Sequence, residues 1–175
     1  IKGKMKKLLI LTTLILLSAC QKSTSSGGTV PTQRAEGVVM RETSAGESTW
    51  QLKATSADFY DNREVLMDNP KIIFNQSKGD AVLTAKKGTF KDNIITFTGS
   101  VTVTVKEEDL KLNTEKLFYN TSTKVAWTDV PFVMKRSGVT VKGKALKADK
   151  GFSNIEIYKQ VTDLPPDLQG LQSLK

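Results

Sequence analysis

The sequence predicts an all-β fold of two antiparallel sheets, and three observations support that prediction. Apolar and polar residues alternate from Val38 onward, with many β-branched and aromatic side chains, which is the pattern of strands with one buried face. Turns rich in Asn, Asp, Gly and Lys separate these segments, and no stretch of ten residues before the C-terminal tail has a helical pattern. The segments also repeat at a spacing of 30 residues.

The alternation is clearest in NIITFTGSVTVTV, residues Asn93–Val105. Its apolar residues share one face of an extended chain, and threonines occupy the other face. We therefore expect Thr96, Thr98 and Thr102 to point outward. The residues expected on the buried face are Ile95, Phe97, Val101, Val103 and Val105.

Four columns of residues recur at intervals of 30, which indicates an array of similar units. A second β segment precedes the repeated segment in each unit. These four companion segments align on Leu52, Leu83, Leu112 and Val141. The sequence therefore predicts four units of two β segments each. The columns are Val65, Ile95, Val125 and Ile155; Met67, Phe97, Trp127 and Ile157; Asn69, Gly99, Asp129 and Lys159; and Lys71, Val101, Pro131 and Val161.

A turn-forming residue interrupts the middle of each second segment: Asn69-Pro70, Gly99, Asp129 with Pro131, and Lys159. Such residues inside a strand pattern predict a bend at which the strand leaves one sheet for the other. The result is a sandwich or jelly roll with two terminal edges. We expect those edges near Gly37–Arg41 and near Ile155–Val161.

The first twenty residues predict export and a lipid anchor. Lys6 and Lys7 precede an apolar run from Leu8 to Ala19, whose 12 residues are fewer than the ~20 that a membrane-spanning helix needs. The run ends in Leu-Ser-Ala-Cys, which resembles the bacterial lipobox. We therefore expect residues 1–19 to be a cleaved signal peptide, 20–36 a lipidated Cys20 with a flexible Ser/Thr/Gly tether, 37–163 the β domain and 164–175 a loose tail.

Composition excludes several function classes. The chain has no histidine and one cysteine, so serine–histidine and cysteine–histidine catalysis and the usual zinc sites are excluded, and we predict neither metal nor cofactor. The net charge is +8, but four lysines precede Cys20, and the others are scattered among apolar residues, so nucleic-acid binding is not predicted. The acidic cluster Lys106–Asp109 has the pattern of a hairpin turn rather than of a glycosidase carboxylate pair. We predict that the protein is not an enzyme.

Several stretches together resemble the LptC family of lipopolysaccharide-export proteins, which have an OstA-like β-jellyroll. The resemblance covers about Val38 to Val161, and it lies in the order of the elements rather than in one motif. The stretches are LTAKKGTF…ITFTGSVTV (Leu83–Val103), LNTEKLFYN (Leu112–Asn120), SGVTVKGKALKAD (Ser137–Asp149) and IEIYKQV (Ile155–Val161).

The resemblance implies a periplasmic protein that receives lipopolysaccharide from the inner-membrane ABC transporter LptBFG. It implies that the lipid passes on to the bridge protein LptA by pairing of edge strands, with the acyl chains inside the jelly roll. If the repeat columns face inward, the lipid-binding interior consists of Met67, Ile73, Phe97, Val101, Val103, Trp127, Val133, Ile157 and Val161. A slip of one residue would invert that assignment.

Two alternative functions are consistent with the β-sheets. One is a structural or adhesive surface lipoprotein with a filled core, which would share the signal peptide. The other is an LptA-like bridge protein, which the predicted lipid anchor disfavours. The chain also departs from the family that it resembles, whose members typically keep a transmembrane helix where this chain has Cys20. The family resemblance predicts the periplasmic side of the inner membrane. Gln21, which follows the cysteine, leaves the outer membrane as the alternative.

Overall fold

The computed structural model describes residues 30–75, 79–158 and 161–163. This part of the chain contains β-strands and one short 3-10 turn at Lys106–Glu108. The strands are β1 (Gln33–Ser44), β2 (Glu47–Phe59), β3 (Val65–Asp68), β4 (Lys71–Phe74), β5 (Ala81–Thr84), β6 (Lys87–Lys91), β7 (Ile94–Val105), β8 (Leu110–Asn120), β9 (Val125–Thr128), β10 (Phe132–Arg136), β11 (Val139–Gly143), β12 (Ala145–Asp149), β13 (Ile155–Tyr158) and β14 (Val161–Asp163).

All these strands pair antiparallel, and their hydrogen bonds connect them into one continuous network. This network divides into two sheets because the long strands change partners along their length. In β2, Trp50–Lys53 pairs with β4 while Ser56–Phe59 pairs with β3. The front sheet follows the order β1, β2, β4, β5, β7, β8, β10, β11, β14, using the Trp50–Lys53 part of β2. The back sheet follows the order β1, β2, β3, β6, β7, β8, β9, β12, β13. The predicted two-sheet, all-β fold is confirmed.

The predicted bends lie where the strands pass from the back sheet to the front sheet. β3 and β4 are separated by Asn69-Pro70, where Asn69 has a positive φ. In β7 the register shifts between Thr98 and Val101, around Gly99 with φ +78°. A Cβ at Gly99 would lie 3.2 Å from Cβ of Lys86, so glycine suits both the backbone and the space. The fourth predicted bend, at Lys159, lies outside the described residues.

Two buried threonines bond to backbone carbonyls near the points where the chain passes between the sheets. The Thr114 hydroxyl donates to the carbonyl oxygen of Pro131 at 3.0 Å. The Thr128 hydroxyl donates to the carbonyl oxygen of Lys116 at 2.6 Å. Because a buried carbonyl without a partner is costly, these bonds let the chain split between two sheets.

The first strand begins earlier than expected. β1 starts at Gln33, so residues 33–36 are paired with the end of β2 and are not part of a tether. At the other end of the array, and among the described strands, β13 pairs only with β12 and β14 pairs only with β11. The predicted signal peptide, Cys20 and the predicted tail at 164–175 lie outside the described residues.

Candidate functional site

The candidate site is the space between the two sheets, which is lined by apolar side chains from both. Most of these side chains are fully buried, and together they form one continuous cluster that includes Phe74 and Leu83 from the front sheet and Phe97, Leu117 and Tyr119 from the back sheet. The rings of Phe74 and Tyr119 meet edge to face across the sheets, with centroids 4.7 Å apart. This interior is therefore a single apolar layer held by interlocking side chains.

Five of the nine residues predicted to line the interior lie there. Met67, Phe97, Val101 and Val103 are at most 2% exposed. Ile157 is partly buried and packs against the same cluster. Their role in lipid binding stays a prediction. The side chain of Val161 lies outside the described part of the structure.

Three of the predicted interior residues lie on the outer face, so the expectation for them is wrong. Val133 is 42% exposed and alternates with buried Phe132 and Met134. Trp127 stacks on Phe118 outside the back sheet, with ring centroids 5.1 Å apart. Ile73 alternates with its buried neighbours Ile72 and Phe74 in β4 in the same way and is partly exposed.

The cause of these errors is a change of phase between units. Two residues, Asp92 and Asn93, connect β6 to β7, whereas the four residues 121–124 connect β8 to β9. The preceding strands β6 and β8 are offset by 29 residues, as buried Gly88 and Leu117 show, so with the two extra turn residues the inward positions of β7 and β9 lie 31 apart. The equal spacing of 30 therefore aligns inward Phe97 with outward Trp127, because a shift of one residue moves a strand's side chains to the other face. Ala126 and Thr128 take the inward places.

One end of the interior is polar and joins the two sheets. The Lys124 ammonium, in the turn after β8, lies 2.5 Å and 2.6 Å from the two carboxylate oxygens of Glu42 in β1. The hydroxyl of Thr49 donates to the same carboxylate at 2.6 Å. The bond from Lys124, and after it the bond from Thr49, hold the pKa of Glu42 below its ordinary value near 4.5. The ion pair therefore closes this end in the charged form.

Two buried polar atoms lie behind that ion pair. The indole N–H of Trp50 is buried beside the Glu42 carboxylate and contributes to lowering its pKa, whereas the hydroxyl of Tyr119 is buried without a hydrogen-bond partner among the described residues. Burial, and then the nearby negative charge of Glu42, raise the pKa of Tyr119, so its hydroxyl keeps its proton. No sequence pattern indicated this arrangement, because the residues come from distant strands.

Several acidic residues, including the cluster at Lys106–Asp109, form ion pairs or lie in turns. Asp58 pairs with Arg34 at 3.2 Å, and Asp68 pairs with Lys87. Lys106–Glu108 forms the turn between β7 and β8, as predicted, and Glu108 binds Arg136 at 2.5 Å. These contacts tie neighbouring strands and turns together.

An open pocket of about 410 Å³ lies at the bend where β7, β8 and β10 meet. It is polar as well as apolar, and its lining combines residues of the outer face with the buried residues Val101 and Phe132. Its lining comprises Ser100, Val101, Thr102, Asn113, Thr114, Glu115, Pro131, Phe132 and Val133.

Replacing Glu42 by glutamine should flatten the pH dependence of stability below pH 4.5. Since folding lowers the pKa of this carboxylate, its contribution is complete above the ordinary value near 4.5 and is lost as the pH falls through the folded-state pKa. Both partners are about one-third exposed, so we expect a loss of about 0.5–1 kcal/mol at pH 7. Urea unfolding of both proteins from pH 7 to pH 3 measures the difference. The control is Glu47→Gln, an exposed carboxylate in the same hairpin, and an equal effect there would contradict the prediction.

The comparisons with known proteins agree with this architecture. A family model described as "Lipopolysaccharide-assembly, LptC-related" matches residues 8–163. The fold is similar to the crystal structure of LptH from Pseudomonas aeruginosa, the LptA homologous periplasmic component of the lipopolysaccharide transport device. The TM-score is 0.53 at 14% identity, over 67% of this chain and 95% of LptH, so the likeness concerns the fold alone. No curated protein matches the sequence significantly.

Among the described residues, no helix is both long and apolar enough to span a membrane. The family match covers far more than half of the 175 residues and includes every strand described above. The chain therefore belongs to the LptC-related family of lipopolysaccharide-assembly proteins, as its sequence predicted.

Proposed function

We propose that this domain carries lipopolysaccharide across part of the periplasm, with the acyl chains held between its two sheets. The observation that supports this most directly is an apolar interior that runs between two unpaired strand edges. Alkyl chains suit such an interior because it stabilises them by about 25 cal/mol per Å² of buried apolar surface without reading their chemistry. No catalytic step is needed in this chain.

The edge at β1 extends the interior toward a partner. Val38 and Met40 pack against the core from β1 but stay partly exposed, because only β2 pairs with β1 among the described strands. A strand added to this edge would cover them and lengthen the apolar channel. We propose that β1 faces the transporter LptBFG and that β13 and β14 face the bridge protein LptA.

The interior must open for a lipid to enter. The side chains between the sheets are buried in the ligand-free structure, and the Lys124–Glu42 ion pair ties the sheets together at one end. The energy for the opening would come from the ATP-driven transporter and from the apolar contacts that the acyl chains gain. Directionality then depends on the partners rather than on a reactive site in this chain.

The attachment to the membrane is also a proposal. The lipobox-like sequence before Cys20 supports acylation of that cysteine, and two or more chains give stable anchoring. We propose that the anchor holds the domain on the periplasmic side of the inner membrane, with the outer membrane as the alternative.

Photo-crosslinking tests the transport function. A photoreactive amino acid at Phe97 or Ile157 should give lipopolysaccharide adducts in membranes supplied with ATP, because both side chains face the interior. The same probe at Thr96, Thr98 or Trp127 should give none, since these face outward. Adducts without ATP dependence, or at the outward positions alone, would contradict the proposal. No adduct at any position of a folded, anchored protein would favour the filled-core structural lipoprotein.

A further inference from the structure

The outer face of the front sheet is basic across its whole width. Six of its strands each present one exposed cation on the side away from the interior, and we call this set the basic face. It consists of Arg41 in β1, Lys53 in β2, Lys71 in β4, Lys111 in β8, Lys135 in β10 and Lys142 in β11. The described carboxylates in the same parts of these strands lie at the margins of that face. They are Glu42, which binds Lys124, Glu47 beside the turn between β1 and β2, and Glu115 at the bend of β8.

The outer face of the back sheet differs because it carries charges of both signs, which pair with each other. The pairs are Arg34 with Asp58, Lys87 with Asp68, and Lys116 with Asp129. On the basic face, five cations form no ion pair with any described carboxylate: Arg41, Lys53, Lys71, Lys111 and Lys135. The two outer surfaces therefore differ in charge although both are exposed faces of antiparallel sheets.

Four of these lysines also lie opposite each other in the ladder. Lys53 in β2 is the cross-strand partner of Lys71 in β4. Lys111 in β8 is the cross-strand partner of Lys135 in β10. Residues directly opposite have Cβ atoms ~4.5–5.5 Å apart, and like charges at that spacing destabilise a sheet. A negatively charged partner would relieve this repulsion, whereas the isolated domain gains nothing from it.

The dimensions of the basic face indicate what kind of anion it fits. Its outermost strands, β1 and β11, are seven steps apart in the order β1, β2, β4, β5, β7, β8, β10, β11, which gives a width of about 30 Å at ~4.8 Å per step. A single phosphate could contact only one of the two lysine pairs. An extended anionic surface can contact both pairs at once.

The head group of a lipid held between the sheets is a less suitable partner. The turns at one end of the front sheet carry exposed carboxylates, including Glu47, Asp80, Glu107 and Asp109. An anionic head group that emerged at this end would meet these carboxylates before it reached the lysines. The charge distribution thus favours an anion that approaches the sheet from outside.

We propose that the basic face docks on the surface of a bilayer that contains anionic lipids. This inference goes beyond the proposed function, because the basic face lies outside the interior. The unpaired edges of β1 and β13 would stay free in this state, since the contact is made by side chains on the face of the sheet. The anchor proposed at Cys20 would keep the domain near a bilayer, and the basic face would decide which side of the domain turns toward it.

Vesicle co-sedimentation of the purified full chain tests the inference. The probes are vesicles of phosphatidylcholine alone and vesicles of equal parts phosphatidylcholine and phosphatidylglycerol. The parent chain should prefer the anionic vesicles, and high salt should remove the preference, because the screening length falls to ~3 Å at 1 M ionic strength. Pure phosphatidylcholine reports any insertion of the apolar N-terminal residues, which is the same in all variants.

Two variants with equal changes of net charge locate the contact. The front variant combines Lys53→Gln, Lys71→Gln, Lys111→Gln and Lys135→Gln, and it should lose at least about tenfold in affinity for anionic vesicles. The control variant combines Lys87→Gln, Lys91→Gln, Lys116→Gln and Lys147→Gln, which lie on the outer face of the back sheet, and it should lose less than about twofold. The front variant should also keep the parent's free energy of unfolding, because it removes like-charge pairs.

Three outcomes would overturn the inference. Equal losses in the two variants would mean that only net charge matters, and a preference of the parent that survives high salt would mean that charge does not carry the binding. The third is binding of a soluble polyanion, heparin, that the front variant loses while the parent shows no preference for anionic vesicles. That result would assign the basic face to an acidic polysaccharide instead of a membrane.

Discussion

Replacing Phe97 by alanine should lower the free energy of unfolding by about 3–5 kcal/mol, the usual cost of truncating a buried aromatic side chain. Phe97 is fully buried in the back sheet, where its cross-strand partners are Gly88 and Leu117. The glycine has no side chain to fill the space that the ring leaves. The substitution therefore removes apolar contacts and also creates a cavity.

Urea denaturation of the ligand-free protein measures this effect, with the slope of the transition compared between the two proteins. The control is Thr98→Ala, in the same strand and on the exposed face. Apart from a small loss of strand propensity, this substitution should change the free energy of unfolding by less than about 0.5 kcal/mol. A loss below about 1 kcal/mol for Phe97→Ala would mean that the ligand-free interior is not closed around this ring. That result would favour sheets that are already parted before lipid binds.

The architecture could be predicted because the relevant signals are local. Alternation marks each strand, and the interruptions at Asn69-Pro70 and Gly99 mark the bends, since those backbones favour Asn or Gly. The repeat of 30 residues then shows that the same pair of segments is used again. These observations were enough to derive two antiparallel sheets that exchange strands.

The face of each strand was less predictable because it depends on the combined lengths of the strands and turns in each unit. The error at Trp127 comes from the spacing of 31 residues, not 30, between inward positions of β7 and β9, and the error at Ile73 comes from the bend at Asn69-Pro70, which reverses the phase relative to β7. In both strands the alternation of side chains was predicted correctly, but the residues that face inward were assigned from the 30-residue repeat. Aligning each strand on its own companion, as Ala57 with Met67 or Leu146 with Ile157, would have avoided such errors.

The polar end could not be derived from sequence at all. Glu42 and Lys124 are 82 residues apart, and their contact depends on how the front sheet packs on the back sheet. Local patterns carry no information about that packing. The buried N–H of Trp50 and hydroxyl of Tyr119 are likewise visible only once both sheets are in place.

Proline substitution in β1 should abolish the proposed docking of this edge on the transporter LptBFG while leaving the domain folded. Successive backbone N–H groups in β1 alternate between the ladder with β2 and the free edge. Two single variants are made, Val39→Pro and Met40→Pro. One of them removes an N–H that faces the free edge, and the other removes a hydrogen bond to β2. We expect the variant with the parent's unfolding free energy to lose at least about tenfold in co-purification with LptBFG, since proline at an edge prevents an added strand.

The matched control lies at the opposite edge of the array. Proline at Ile155 or Glu156 in β13 alters the edge proposed to face the bridge protein, so the stable variant of that pair should keep LptBFG and lose LptA. Reversed losses would exchange the two partners between the edges. If the stable β1 variant bound the transporter as the parent does, docking would not use this edge, and the partly exposed Val38 and Met40 would need another explanation. The two pairs of variants thus decide whether the apolar interior continues from one partner to the next.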